Sequence, residues 1–144
     1  MDAKPKVYVY QTSVKWTEQR KGVIACAGKP EVQVATPPEF KGHEGIWSPE
    51  DLFVASANVC LMTTFLAVAE RAGLAFSAYE STVEGRLELV EGKFQFTAIT
   101  IRPTITLKSA GDATKAKELI EKAEHNCLIS NSMKATVTLD PTIR

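Results

Sequence analysis

The stretch that most restricts the possible folds is residues 48–73, a long helical pattern with no charge in its middle. No Asp, Glu, Lys or Arg occurs from Leu52 to Ala69. A helix of this length without a charged face either spans a membrane or is surrounded by protein. Polar side chains interrupt the apolar run, and the flanking sequence lacks the pattern of a membrane span, so we expect a helix in the protein interior. The interrupting residues are Ser56, Asn58, Thr63 and Thr64.

Both ends of this helix carry boundary signals. The Ser48 hydroxyl can accept a hydrogen bond from a first-turn N–H, and the Asp51 carboxylate can accept one from the Ser48 N–H. This arrangement is a variant of the capping box. Pro49 suits the first helical position, where its missing N–H has no consequence. Glu50 and Asp51 place negative charge at the positive end of the helix dipole. Gly73 suits the position just after the last turn.

The composition indicates one domain from a reducing compartment. A length of 144 residues suits a single domain, which we expect to span residues 1–144. The 17 basic and 17 acidic residues balance, which argues against a nucleic-acid partner and against a basic membrane-binding patch. Three cysteines without short paired spacings argue against a secreted disulfide framework. The start, Met1–Pro5, has no apolar signal-peptide region behind it, so we expect a cytoplasmic protein.

Alternating and β-branched patterns elsewhere predict strands and one more helix. Asp112 is the predicted cap of this second helix, because apolar residues follow it at helical spacing. In the longest strand pattern the alternating apolar residues switch from even-numbered to odd-numbered positions. This change of parity predicts a kink near Arg102 and Pro103. The predicted strands are Val7–Trp16, Gly22–Cys26, Val32–Val34, Tyr79–Val90, Phe94–Leu107 and Ala135–Leu139.

The order of elements is βββ–α–ββ–α–β, and short turns between neighbouring strands favour antiparallel pairing. This order predicts an α+β fold in which antiparallel sheets enclose the long central helix. A helix buried on all faces needs more cover than one small sheet provides. We therefore expect a two-fold homodimer, in which two such helices pack together between the sheets.

Two thiols have surroundings that suggest chemistry. A free cysteine is usually a small apolar filler, but polar residues flank Cys60 within the central helix. Cys127 follows the second helix inside a polar turn, where a mobile and reachable thiol would be placed. A bond between Cys60 and Cys127 needs a fold that brings the end of the second helix over the first helix. The sequence allows such a fold but does not prove it. With Cys26, His43 and His125 included, the spacing of these possible metal ligands fits no compact zinc pattern.

A pair of thiols suggests redox chemistry, which needs an ionised sulfur. The thiolate is the nucleophile, and a buried thiol ionises only if a cation lies close to it. Cys60 lies about three turns into its helix, beyond the first turn where the dipole acts. The cation must therefore come from another segment. Arg20 in the first predicted turn is the candidate, and Lys21 is the alternative.

Two motifs then resemble those of the OsmC/Ohr family (osmotically inducible protein C and organic hydroperoxide resistance protein). The segment 47–53, Trp-Ser-Pro-Glu-Asp-Leu-Phe, together with Cys60 looks like the family's Pro-Glu-x-Leu-(x)n-Cys motif. The segment 123–131 is similar to the second motif, Cys-(x)2-Ser, at Cys127 and Ser130. The strand with Pro103 and the strand order also match. The resemblance covers nearly the whole chain and is closest to the OsmC-like branch.

The resemblance implies a thiol-dependent peroxidase that reduces organic hydroperoxides and works as a homodimer with intertwined subunits. It implies that Cys60 is the peroxidatic thiol and Cys127 the resolving thiol, with Arg20 and Glu50 orienting and ionising the reactive sulfur. No metal, flavin or haem is expected, and an external dithiol would reduce the Cys60–Cys127 disulfide. Glu50 precedes Cys60 by ten residues, about 15 Å along one helix, so we expect it to act from the partner subunit or through Arg20.

Two other classes of function remain open from the residues alone. The enclosed helix could hold an apolar small molecule, with both cysteines incidental. A thioesterase of the hot-dog type also surrounds a long helix with a sheet, but Glu50 is the one evident carboxylate near a predicted pocket. Formation of a Cys60–Cys127 disulfide with peroxide would separate the peroxidase from both alternatives.

Overall fold

The computed structural model describes residues 5–144, which fall into two compact units, the first ending at Leu52 and the second comprising Phe53–Arg144. The expectation of one domain over residues 1–144 stays a prediction. We also predicted that the start of the chain has no signal peptide. Residues 1–4 of that start lie outside the described residues.

The first unit contains a three-stranded antiparallel sheet with the order β1-β2-β3. Its strands are β1 (Ser13–Glu18), β2 (Lys21–Ala25) and β3 (Val32–Ala35), and a 3-10 turn follows at Pro38–Phe40. The Trp47 carbonyl accepts a hydrogen bond from the Ala35 N–H (2.9 Å), which ties the following loop to β3.

The predicted start of the first strand is wrong. Residues Val7–Thr12 are not in a strand, and β1 begins at Ser13. The reason is the length of the partner strand: Ser13 pairs with Ala25, the last residue of β2, so earlier residues have no neighbour in this sheet.

Helix α1 (Pro49–Ala72) has the predicted boundaries. The capping box is confirmed, because the Asp51 N–H donates to Ser48 Oγ (3.1 Å) and the Ser48 N–H donates to Asp51 Oδ2 (3.0 Å). Gly73 follows the last turn with φ of 69°, a left-handed conformation that favours glycine.

Most of the second unit is a mixed sheet covered by helices. A tight turn with left-handed Glu91 and Gly92 joins the two long strands. Two short strands near the end of the chain pair parallel to the second long strand, and the sequence pattern missed the last of them. The elements after α1 are β4 (Phe76–Val90), β5 (Lys93–Leu107), a 3-10 turn (Ala110–Asp112), α2 (Ala113–His125), α3 (Leu128–Asn131), β6 (Thr136–Leu139) and β7 (Thr142–Ile143).

The irregularity in β5 lies at Thr97, and the predicted kink at Arg102 and Pro103 is wrong. The pairing register of β4 and β5 shifts by one residue here. Arg86 pairs with Ala98 but Leu87 pairs with Phe96, so Thr97 is an extra residue in β5. Around Pro103 the pairing continues without a shift. A one-residue bulge moves the following side chains to the other face, which explains the parity change in the sequence.

The predicted side-chain cap of α2 is also wrong. Asp112 precedes the helix but makes no capping hydrogen bond. Residues Ala110–Asp112 already form a 3-10 turn that continues into the helix, which gives Asp112 φ of −92° and ψ of 9°. A capping side chain requires extended backbone at that position, so the geometry is unsuitable.

The hydrophobic core of the second unit forms between α1, the long strands and α2. Its largest fully buried apolar side chains are Leu61, Phe65, Ile99, Ile101, Ile105 and Ile120. By length and composition α1 could cross a membrane, but here one of its faces packs into this core. Val59 and Leu66 on α1 remain exposed. Burial on all faces is therefore not achieved by the single chain, and the dimer that would provide it stays a prediction.

Candidate active site

Cys60 lies on the core face of α1 in the second unit. Cys60 is 9% exposed. Helical spacing places Thr64 one turn after it on the same face of α1. Cys60 Sγ and Thr64 Oγ1 are 3.8 Å apart, so the two groups share a weak hydrogen bond. The Thr63 hydroxyl donates to the Cys60 carbonyl (3.1 Å), which satisfies that hydroxyl within the helix. The sulfur thus has a polar neighbour within a mainly apolar surface.

Cys127 lies at the junction of α2 and α3 and is fully buried, with 0% exposure. The expectation of a reachable, mobile thiol is therefore wrong. The Cys127 N–H donates to the Glu124 carbonyl (3.2 Å), and the Asn131 N–H donates to the Cys127 carbonyl (3.0 Å). These bonds close a tight turn that directs the thiol inward while the flanking Asn126 and Leu128 remain exposed.

The fold brings the two thiols together. Burial raises the pKa of the Cys127 thiol, the hydroxyl and backbone N–H of Ser130 lower it in part, and the adjacent Cys60 thiol raises it further. Both cysteines are unbonded thiols. An unionised Cys127 beside Cys60 suits a second, slower step of a thiol reaction, because the attacking form of cysteine is the thiolate.

A buried polar group on α2, Glu124, accompanies the thiols. Burial raises the pKa of the Glu124 carboxyl, and the nearby Ser130 hydroxyl lowers it in part. Burial also raises the pKa of Tyr79 on β4; the Ser81 hydroxyl opposes this shift, and the charges of Glu124 and Cys127 add to it. Within the described range 5–144, Glu124 Oε2, Tyr79 Oη and Ser130 Oγ are buried without a hydrogen-bond partner.

Arg20 lies in the turn between β1 and β2, as the sequence predicted. Its exposed side chain donates a hydrogen bond from Nη1 to the Phe40 carbonyl (2.9 Å), which directs the guanidinium toward the 3-10 turn. Arg20 and Lys21 also line a mainly apolar groove of about 310 Å³ with Val14 and Trp16. The first unit therefore combines a positive charge with an apolar surface.

Glu50 occupies the second position of α1, within the first unit. Its Oε1 atom is buried and finds no hydrogen-bond partner in the part of the chain that the structure describes. Arg20 and Glu50 thus belong to the first unit, and the two thiols belong to the second. The action of Arg20 and Glu50 on Cys60 stays a prediction.

Sequence reasoning missed Glu124 and Tyr79. A signal for Glu124 was available, because it follows the buried Ile120 by four residues and so lies on the same helix face. Within residues 5–144 no group of three or more His, Cys, Asp or Glu side chains is placed to hold a metal ion.

Comparison with known proteins gives the family. Residues 42–142 match the family of OsmC-like proteins. An uncharacterised protein of Bacillus subtilis (strain 168), YmaD, is 30% identical over 109 residues, which cover 74% of this chain and 73% of that protein. Peroxiredoxin OsmC of Escherichia coli (strain K12) is 28% identical over 101 residues, or 70% of this chain and 69% of that one.

Solved structures show the same fold. An OsmC-like protein of unknown function from Vibrio cholerae has a TM-score of 0.85 at 21% identity, covering 94% of this chain and 99% of that one. An organic hydroperoxide resistance protein from Legionella pneumophila has a TM-score of 0.73 at 24% identity, with 95% and 98% covered. The α+β architecture is therefore the OsmC-like fold, and the chain belongs to the OsmC-like family.

Proposed function

We propose that the protein is a thiol-dependent peroxidase that reduces organic hydroperoxides to alcohols. The observation that carries the proposal is the juxtaposition of Cys60 and Cys127, which are far apart in sequence and neighbours in the fold. Two neighbouring thiols can close a disulfide when the separation of their Cα atoms and the direction of their side chains allow it. The names of two similar proteins, a peroxiredoxin and an organic hydroperoxide resistance protein, support the same class of reaction.

In the first step, the Cys60 thiolate attacks the terminal oxygen of the hydroperoxide. A sulfur–oxygen bond forms and the oxygen–oxygen bond breaks, so the sulfur is oxidised to a sulfenic acid and the substrate leaves as an alcohol after taking up a proton. The low exposure of Cys60 limits access of water and of large molecules to this intermediate. An apolar environment also favours substrates whose organic part is apolar.

In the second step, the Cys127 thiolate attacks the Cys60 sulfur. The sulfur–sulfur bond forms, the sulfur–oxygen bond breaks, and the oxygen leaves as water. An external dithiol then restores both thiols by exchange and is itself oxidised to a disulfide. No metal, flavin or haem takes part in these steps.

The proposal gives the charged residues of the first unit supporting roles. Arg20 stabilises the Cys60 thiolate by its positive charge, and Glu50 orients the guanidinium. The exposed face of α1 supports a homodimer, because its uncovered apolar side chains Val59 and Leu66 are the kind of surface that a second copy can bury. A cytoplasmic location supplies the dithiol reductant that the cycle needs.

Turnover of cumene hydroperoxide with dithiothreitol tests the assignment. Cys60→Ser removes the attacking sulfur, so we expect turnover to fall to the level without protein. Cys26→Ser is the matched control, because Cys26 is a half-buried thiol on another segment and should leave the rate unchanged. Equal turnover by Cys60→Ser and the unaltered protein would contradict the proposal.

Cys127→Ser tests the second role. This variant should react once with hydroperoxide and retain a sulfenic acid at Cys60, which dimedone traps as an adduct detected by mass spectrometry. A protein that binds cumene hydroperoxide but oxidises neither thiol would instead be an apolar small-molecule-binding protein. The groove beside Trp16 is the observation that favours this alternative.

A further inference from the structure

The polar side chains that interrupt the apolar run of α1 have no role in the steps above. Three of the four are bonded to groups other than the Cys60 sulfur. The Ser56 hydroxyl donates to a carbonyl of the preceding turn (2.6 Å), and the Thr63 hydroxyl donates to the Cys60 carbonyl (3.1 Å). Asn58 exchanges hydrogen bonds with β4 (2.5 and 3.4 Å). The fourth side chain, Thr64, is bonded to the sulfur itself.

The bond from Thr64 differs from the ordinary behaviour of a threonine in a helix. Such a hydroxyl usually bonds back to a carbonyl of the preceding turn, as that of Thr63 does. Within residues 5–144, the hydrogen bond that the Thr64 side chain makes is the one to Cys60 Sγ, at 3.8 Å from Oγ1. Thr64 is half-buried whereas Thr63 is exposed, so water competes less for the Thr64 hydroxyl.

We propose that the Thr64 hydroxyl donates a hydrogen bond to the Cys60 thiolate and is thereby a catalytic residue of the first step. This inference deepens the proposed function and rests on it. In the thiol form either atom can be the donor, but an ionised sulfur has no proton, so the hydroxyl must donate. A hydrogen bond to an ionised group is about twice as strong as one between neutral groups, so the pair favours the thiolate.

The titratable groups of the second unit near the thiols cannot stabilise a thiolate by charge. Cys127 is a titratable neighbour of Cys60, and Tyr79 on β4 responds to the charges of Cys127 and of Glu124 on α2. A thiol, a phenol or a carboxyl is neutral or negative, so none of the three attracts a second negative charge. The hydrogen bond therefore acts in addition to the charge proposed above for Arg20.

The test measures how readily Cys60 ionises, with no hydroperoxide present. Iodoacetamide alkylates the thiolate, and mass spectrometry of the Cys60 peptide gives the alkylation rate as a function of pH in a Cys26→Ser background. Thr64→Val replaces the hydroxyl by a methyl group of similar size. We expect the midpoint of the pH profile to rise by about one pH unit, the lower range for loss of a hydrogen bond to a charged group. The limiting rate at high pH should rise about threefold, because a more basic thiolate is a stronger nucleophile.

Thr63→Val is the matched control, because it removes the neighbouring hydroxyl, which is bonded to a carbonyl instead of the sulfur. It should leave the midpoint unchanged. Thr64→Ser keeps the hydroxyl and should keep the midpoint, whereas Thr64→Ala removes the hydroxyl and should shift it as Thr64→Val does. A purely structural effect would change the rate at every pH without moving the midpoint. An unchanged midpoint in both Thr64→Val and Thr64→Ala, or an equal shift in Thr63→Val, would overturn the proposal.

Hydroperoxide separates this inference from the peroxidase assignment. If the midpoint shifts in Thr64→Val but cumene hydroperoxide does not oxidise Cys60 in the unaltered protein, the peroxidase assignment fails and Thr64 stands as the donor to the thiolate. If the unaltered protein turns over but the midpoint does not move, only the role of Thr64 is refuted. If both hold, Thr64→Val should slow Cys60 oxidation about threefold below both midpoints, because a tenfold loss of thiolate outweighs the gain in nucleophilicity.

Discussion

The two units of the chain differ in how much of their apolar surface they bury. In the second unit, the core between α1, β5 and α2 is buried, and the two thiols are buried as well. In the first unit, every residue of β1 is exposed, and Val14 and Trp16 are each 72% exposed. The second unit therefore holds its reactive groups by its own packing, whereas the first presents apolar side chains and the Arg20 cation on open surface.

Because of this difference, we expect substitutions in the two units to have different effects on stability and activity. The thiol pair depends on long-range packing within the second unit, so substitutions in that core should change stability and chemistry together. The first unit exposes a mainly apolar groove that contains Arg20 and Lys21. A substitution there should change activity with little effect on the folding of the single chain. Two pairs of substitutions test this contrast.

The largest expected effect is on stability in the core of the second unit. Ile101→Ala removes a fully buried side chain from β5 and should lower the free energy of unfolding by about 2–5 kcal/mol. Val14→Ala, on the exposed β1, should change it by less than about 0.5 kcal/mol. Urea denaturation followed by circular dichroism measures both. A loss at Val14 as large as at Ile101 would contradict the contrast and would show that β1 is covered in solution.

A smaller effect is expected from the charges of the first unit. Arg20→Ala should lower kcat/KM for cumene hydroperoxide by about 100-fold, the size of effect that a nearby opposite charge has on an ionisation equilibrium. Its unfolding midpoint should stay within about 2 °C, because exposed side chains contribute little to stability. Lys21→Ala is the matched control on the next residue. A large loss with Lys21→Ala and none with Arg20→Ala would assign the activating charge to Lys21.

Local features of the fold could be predicted from the sequence, because a few neighbouring residues determine them. The start of α1 is an example: Ser48 and Asp51 satisfy each other's backbone N–H groups within one turn. The end of α1 at Gly73 is another, since a left-handed residue there needs no distant partner. The family resemblance added the pairing of the thiols, which spacing alone left open.

Features that depend on distant partners were predicted less well. The parity change in β5 was visible, but the bulge lies at Thr97 because pairing with β4 decides where the extra residue goes. The polar sequence around Cys127 suggested exposure, yet the turn between α2 and α3 directs its thiol into the protein. Glu124 was missed because the burial of its carboxyl depends on how α2 packs in the second unit, which spacing within α2 does not specify.

The most direct test of the central claim is the disulfide that forms when one equivalent of cumene hydroperoxide is added to the reduced protein. Free thiols are blocked with N-ethylmaleimide, the unreduced protein is digested, and linked peptides are identified by mass spectrometry. We predict one linkage, between Cys60 and Cys127, with Cys26 recovered as a free thiol. Recovery of Cys60 and Cys127 as free thiols after the hydroperoxide is consumed, or linkage of either to Cys26, would contradict the account.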